Sequence, residues 1–309
     1  MSRTTTRARD AFTEYVEGGM QDVEGWLEPG AIPMLRALED EQRVAGVQGA
    51  IGEIGVHHGR LFVAMALLAR PGEALLALDL FEDQHLNRDW SGAGERQAFR
   101  ASVRAHLPED APVMEVRADS TEISGADLVA VVGGPLRLFS VDGGHTEEVV
   151  LHDLETADAA IAEGGIVLMD DFQNPLFPGA AVGASRFLVE HPARRLVPFA
   201  TGGNKLWLTT RGHAERYRRR LIEEPVGSVV SSRMHAMVGD PVYCVSFGDP
   251  AIDAGRMTWE VVEQLVERQC EALGIGRERF LALAVRAMSP EYVARLAALR
   301  RGARVQEAR

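Results

Sequence analysis

From residue 49 to about residue 211 the chain alternates short apolar runs with helix-length amphipathic stretches, and this rhythm constrains the fold more than any other feature. The runs are GAIGEIGV (49–56), EALLALDL (73–80), APVMEVRAD (111–119), LRLFSVD (136–142) and GGIVLMDD (164–171). Between them lie GRLFVAMALLA (59–69), GERQAFRASVRAHL (94–107) and 146–163, where Val150, Leu154, Ala157 and Ile161 share one helical face. Strands that are apolar on both faces and alternate with helices form parallel sheets, because each crossover covers one face of the sheet. A short helix over 180–190 is followed by RRLVPFA and NKLWLTT, separated by TGG, which read as a hairpin ending the sheet in an antiparallel edge strand. The expected fold class is therefore α/β, a doubly wound, mostly parallel sheet.

Ligands of such sheets bind outside the carboxyl ends of the strands. The polar residues that stand out fall there: Glu53, Asp79, Asp119, Asp142, Asp170 and Asp171. Acidic strand ends on a chain of formal charge −12 suit a cationic ligand and argue against nucleic acid or an anionic membrane surface as partner. No stretch approaches the roughly 20 apolar residues that span a bilayer, and MSRTTTRARDAF lacks an apolar signal region. A cytoplasmic location is expected. Cys244 and Cys270 show no CxxC spacing, so neither a thiolate metal site nor a disulfide framework is indicated. Lys205 is the only lysine, an imbalance read as coding bias without functional meaning.

In EIGVHHG (53–59), an acidic residue ends a strand and Gly55 and Gly59 frame a tight turn into a helix. Glycines admit a ligand close to the backbone, and a helix start offers free N–H groups. The spacing is not GxGxxG, which disfavours a pyrophosphate cradle and an NAD-dependent dehydrogenase. Asp79 can accept both hydroxyls of a ribose, or it is a cap or a solvated loop carboxylate. For Asp119 and Ser120, capping the next helix and contacting an adenine are equally open. Asp142, Asp170 and Asp171 lie on two strand tips, where carboxylates coexist only with a cation or at least one proton between them. All-oxygen ligation favours Mg²⁺, with Mn²⁺ or Ca²⁺ as alternatives. His145, with an unperturbed pKa of about 6.5, can accept a proton when neutral. Plainer readings stand beside these: Asp142 as a cofactor contact or a cap for the helix at Thr146, Asp171 in solvent, His145 as an ordinary helix-start residue. His57 and His58 have no assigned role, and Gln173 and Asn174 are candidates for hydrogen bonds to a polyol.

In order and spacing, EIGVHHG, the aspartate of LALDL, RADS, SVDGGH and LMDDF resemble the class I S-adenosylmethionine-dependent methyltransferases, over residues 49–211. The nearest likeness is to metal-dependent O-methyltransferases, including those acting on sugar hydroxyls of antibiotics. The resemblance implies a seven-stranded sheet and specific roles. Glu53, Gly55 and Gly59 would line the methionine and ribose part of the cofactor, with Asp142 also against it. Asp79 would hold the ribose hydroxyls, and Asp119 and Ser120 would flank the adenine. Asp142, Asp170 and Asp171 would bind Mg²⁺ or Mn²⁺, and His145, with Asp142, would serve catalysis as the general base.

These expectations divide the chain into an N-terminal helical segment covering the cofactor (1–48), a methyltransferase domain (49–211) and a mainly helical C-terminal extension (212–309). The extension holds a helix in AERYRRRLIEE, an extended or irregular stretch VGDPVYCVSFGDP, a helix over 258–274 and a helix start at Ser289. The expected reaction is Mg²⁺-assisted methyl transfer to a hydroxyl of a sugar or similar small polar metabolite, of the kind used in natural-product biosynthesis. A homo-oligomer is compatible with it. The alternatives are a metal-independent methyltransferase acting on nitrogen, carbon or a carboxyl group, and a nucleotide-binding protein of the same fold without turnover.

Overall fold

The computed structural model describes residues 10–28 and 30–248. Cys270, the helix expected over 258–274 and the helix start expected at Ser289 lie outside the described residues. The elements in chain order are α1 (Ala11–Glu17), α2 (Ala31–Ala45), β1 (Ala50–Ile54), α3 (Arg60–Ala66), β2 (Leu75–Asp79), α4 (Arg96–His106), β3 (Val113–Arg117), α5 (Gly125–Val132), β4 (Leu136–Val141) and α6 (Glu147–Ala160). They continue with β5 (Ile161–Met169), α7 (Pro178–Glu190), β6 (Leu196–Gly202), β7 (Lys205–Thr210), α8 (Ala214–Glu223), β8 (Val229–Met237) and β9 (Asp240–Phe247).

The described strands form one sheet of nine, in the order β3-β2-β1-β4-β5-β7-β6-β9-β8. Strands β1 to β5 are parallel to one another. Strand β7 enters antiparallel between β5 and β6. The chain winds outward from β1 to β3 and returns to β4, so the order reverses between β1 and β4. At such a switch point the two outgoing loops part and leave a crevice.

Alternate residues of the strands feed two cores. One face packs Ile51, Ala77, Leu138, Ile166 and Trp207 against α2, α3 and α8, through Met34, Leu35, Phe62 and Tyr217. The other packs Leu76, Phe139, Val141 and Val167 against α5, α6 and α7, through Leu128, Leu154 and Phe187. Local signals agree with this plan. Helix α5 starts in a capping box between Ser124 and Asp127, and α2 stops at Gly46 in the left-handed conformation.

Three details depart from the sequence expectations. Ile161 does not complete the helical face of α6; it is extended (φ −72°, ψ 138°) and pairs with Leu136. The pair Gly164-Gly165 lets β5 begin early, Gly164 taking a φ of +75° and the ladder shifting register between Leu136 and Leu138. The hairpin β6–β7 is not the sheet edge, because β9 adds in parallel to β6 and β8 pairs with β9. The described part of the expected helical extension, 212–248, is thus one helix and a hairpin. Its turn uses Val238 and Gly239, both at positive φ (49° and 87°). Valine is a poor residue for that conformation, and it hid the hairpin from the sequence reading. No described helix is long and apolar enough to cross a membrane.

One buried polar knot ties the amino ends of the central strands to the helices. Arg137 of β4 is fully buried. It donates to both carboxylate oxygens of Glu73 (2.6 and 2.7 Å), to Gln42 Oε1 (2.9 Å) and to the Leu68 carbonyl (2.9 Å). A buried guanidinium is tolerated only when its donors are satisfied, and removing it strands its partners. Arg137→Ala should lower the unfolding free energy by about 3–5 kcal/mol, read from urea denaturation followed by circular dichroism.

Candidate active site

A cavity of about 530 Å³ opens at the carboxyl ends of β1, β2, β4 and β5. Glu53, Gly55, Asp79, Asp119, Ser120, Asp142, His145, Asp170 and Asp171 all line it. Gly59 does not. It turns the chain into α3 at φ +91°, and a side chain there would press on Phe99. Residues Glu24 to Glu28, ahead of α2, also line the cavity, whereas α2 itself lies in the core.

Gly55 follows β1 at φ +81°, and a Cβ on it would overlap the carbonyl of Asp142. The β1 and β4 tips approach this closely because Asp142 N–H donates to the Ile54 carbonyl at 2.9 Å. A glycine is required by both conformation and space. Asp79 is 8% exposed. Its Oδ2 accepts the His57 N–H (2.8 Å) and its Oδ1 the Phe81 N–H (2.7 Å). Both donors have positive φ, 49° and 47°, so one carboxylate holds two strained turns at the mouth of the crevice. Burial pushes the Asp79 carboxyl up despite these bonds.

Asp119 and Ser120 show the capping geometry that the sequence left open. Asp119 Oδ1 accepts from the backbone N–H (2.9 Å) and hydroxyl (2.7 Å) of Thr121. Ser120 donates to Asp153 of α6 at 3.1 Å, a buried carboxylate that the sequence reading missed. His57 lines the cavity between Trp26 (5.6 Å between ring centroids) and His58 (3.9 Å, stacked). Burial, then the neighbouring His58, lowers its pKa.

The three aspartates of the expected metal site have different partners, although Asp142 and Asp170 lie in side-chain contact. Asp170 Oδ2 is 2.5 Å from Lys205 Nζ, and its Oδ1 accepts the Asp171 N–H at 2.8 Å. Asp171 turns the other way, at φ +55°. Its Oδ1 accepts from the amides of Asn174 (2.8 Å) and Asn204 (2.7 Å), and its Oδ2 is 2.7 Å from His145 Nε2. Asn174, expected as a polyol contact, here fixes a carboxylate. Asp142 Oδ1 is 4.0 Å from the same imidazole nitrogen. Among the described residues, the side chains that converge closely enough to share an ion are Asp142, His145 and Asp171, with ligand atoms within 4.8 Å of one another.

His145 is held on every side. Its backbone N–H donates to Asp89 Oδ2 (2.5 Å), its Nδ1 lies 3.1 Å from Asp89 Oδ2 and 2.8 Å from Ser91 Oγ, and its ring stacks on Phe177 at 4.1 Å. Burial acts to lower its pKa, but Asp171 and Asp89 outweigh burial and raise it above 6.5. The same pairing holds Asp171 below the usual carboxylate range, although burial opposes it. This arrangement favours the protonated ring more than the unperturbed pKa of the sequence expectation does. Asp142, with no such partner, is pushed well up by burial and by Asp170. Lys205 stays charged: burial acts to lower it, and Asp170, Asp142 and Glu53 reverse that. Asp89, Ser91, Asn204 and Lys205 carry no motif that marks them in the sequence.

Glu53, fully within β1, has an unpartnered Oε2, and burial pushes it up to about 8 from 4.5, with Lys205 opposing. A carboxyl group raised in the folded state binds more protons folded than unfolded, so its contribution to stability falls as pH rises from about 4.5 to about 8. Glu53→Gln should therefore gain on the unsubstituted protein by about 1–3 kcal/mol between those limits, measured by denaturation at a series of pH values in metal-free buffer.

A family model described as a methyltransferase domain matches residues 53–172. Solved structures with a similar fold include the O-methyltransferase NovP, at 17% identity over 59% of this chain and 80% of that one, with a TM-score of 0.47. CalS11, described as a TDP-rhamnose 3'-O-methyltransferase of calicheamicin biosynthesis, is 20% identical over 64% of this chain and 85% of its own, with a TM-score of 0.43. TomG of Streptomyces achromogenes, an O-methyltransferase involved in tomaymycin synthesis and solved with S-adenosylmethionine, is 15% identical over 66% and 91%, with a TM-score of 0.41. Likeness at these values says nothing of what this chain acts on. Comparison with curated protein sequences gives no match. Residues 53–172, which build the switch-point crevice and its acidic strand ends, are the part of the chain that matches a methyltransferase domain.

Proposed function

We propose that the chain transfers the methyl group of S-adenosylmethionine to a hydroxyl oxygen of a small polar acceptor, of the sugar-bearing natural-product type, and that a divalent cation, Mg²⁺ or Mn²⁺, assists. The observation that carries this reading is the meeting of Asp142, His145 and Asp171 in the same cavity as the cofactor-type carboxylates Glu53 and Asp79. The acidic crevice suits a ligand bearing an ammonium and a sulfonium. Asp79 would accept the ribose hydroxyls, Glu53 and Gly55 would border the methionine part, and the Asp119–Ser120 turn would border the adenine.

In the transfer, an acceptor oxygen attacks the sulfonium methyl carbon in line. The carbon–sulfur bond breaks with its electron pair returning to sulfur, and the hydroxyl proton leaves to a base. In its neutral form, with the ring proton on Nδ1 facing Asp89, His145 would take that proton at Nε2 and pass it to solvent after the transfer. Asp89, Ser91 and Phe177 keep the ring oriented through the step. The donor chemistry of Asp142 and Asp171 fits a hard divalent ion, which is often bound through one or two carboxylates and substrate oxygens. When bound, such an ion polarises the acceptor hydroxyl and stabilises its alkoxide.

A second reading is favoured by one observation. Lys205 and His145 already balance Asp170 and Asp171, so a metal-independent transfer is compatible with the same side chains. A screen of hydroxylated acceptors with radiolabelled methyl donor, with and without EDTA, separates the two. Loss of turnover with EDTA and its return with Mg²⁺ or Mn²⁺ supports the first reading, and undiminished turnover supports the second. Under either reading, His145→Ala should lower turnover by about 10²–10³-fold while calorimetric binding of S-adenosylmethionine persists. Asp79→Asn should abolish that binding.

A further inference from the structure

Lys205 is the first residue of β7 and is fully buried. Its position follows from the topology. Strand β7 is antiparallel to β5, with Leu206 opposite Met169. The start of β7 therefore lies beside the end of β5, at the carboxyl-end face of the parallel strands. The single lysine of the chain is delivered to the one edge of the sheet where the carboxylates gather.

A buried ammonium persists only with a partner, and separating a buried pair is far costlier than separating an exposed one. Lys205 has Asp170 at 2.5 Å. The second oxygen of Asp170 is engaged as well, by the Asp171 N–H. Asp171, held by Asn174 and Asn204, faces His145 instead. Among the described residues, the potential ion ligands that converge as a set are Asp142, His145 and Asp171, without Asp170. A divalent ion recruiting Asp170 would have to displace an ammonium already bonded to it, or share the carboxylate with it against like-charge repulsion.

We propose that Lys205 is a built-in cation that withholds Asp170 from the donor set of any divalent ion, leaving Asp142 and Asp171, with His145 beside them, as the donors. This deepens the divalent-ion part of the proposed function and rests on it. It is a positioning role: Lys205 acts through Asp170 and does not itself line the cavity. Its removal frees a third carboxylate on the neighbouring strand tip and takes away the charge that repels a second cation.

The test is titration of the metal-stripped full chain with Mn²⁺ alone by calorimetry at neutral pH, with S-adenosylmethionine binding and thermal melting read on the same samples. Lys205→Met should bind Mn²⁺ at least about tenfold more tightly than the unsubstituted chain. Lys205→Met combined with Asp170→Asn should return to the unsubstituted affinity, because the gain belongs to the released Asp170 carboxylate. A folded Lys205→Met chain with unchanged or weaker Mn²⁺ binding overturns the proposal. So does a gain that survives Asp170→Asn. Should Lys205→Met fail to melt cooperatively, Lys205→Gln, which keeps a donor without the charge, is read by the same criteria. Loss of S-adenosylmethionine binding by the unsubstituted chain would overturn the methyl-transfer reading and leave the Mn²⁺ comparison standing.

Discussion

Carboxylates crowded onto the ends of adjacent buried strands repel one another unless opposite charge or protons lie between them, and the way this chain resolves that conflict shapes everything around the crevice. Two basic side chains within the protein do most of it. Lys205 takes Asp170, and His145 takes Asp171. Asp142 and Glu53, left without a bonded cation of their own, are raised towards their neutral forms. The aspartates at 170 and 171 are adjacent in sequence, yet they point into different electrostatic environments because Asp171 takes a positive φ.

The fold makes this arrangement available. Parallel strands bring their carboxyl ends to one face, and the reversal of order between β1 and β4 opens a crevice there. The antiparallel insertion of β7 then supplies what a purely parallel sheet cannot, a strand beginning at that same face. Positive charge and the side chain of Asn204 reach the aspartates through that inserted strand and its turn.

The acids were legible in the sequence because each closes an apolar run, and a run that stops at a carboxylate marks a strand leaving the core. Glu53, Asp79, Asp142, Asp170 and Asp171 all line one cavity as a result. Their partners were not legible. The contact of Lys205 with Asp170 depends on the register of two antiparallel strands rather than on spacing. Asp89 and Ser91 belong to an irregular loop with no periodicity to place them. The β8–β9 hairpin was hidden by valine in a turn position where asparagine or aspartate is the usual sign. Gly59 was read as a ligand neighbour because a glycine needed for a helix entry looks, in sequence, like one needed for a close approach.

The segment between Asp79 and Arg96 bridges two distant tasks. At one end its Phe81 N–H is tied to Asp79, and at the other its Asp89 and Ser91 grip the imidazole of His145. Whatever settles against Asp79 thus shares a single span of backbone with the contacts that hold the His145 ring. Because one span of backbone joins the two anchors, order imposed at one end leaves less entropy to be lost at the other.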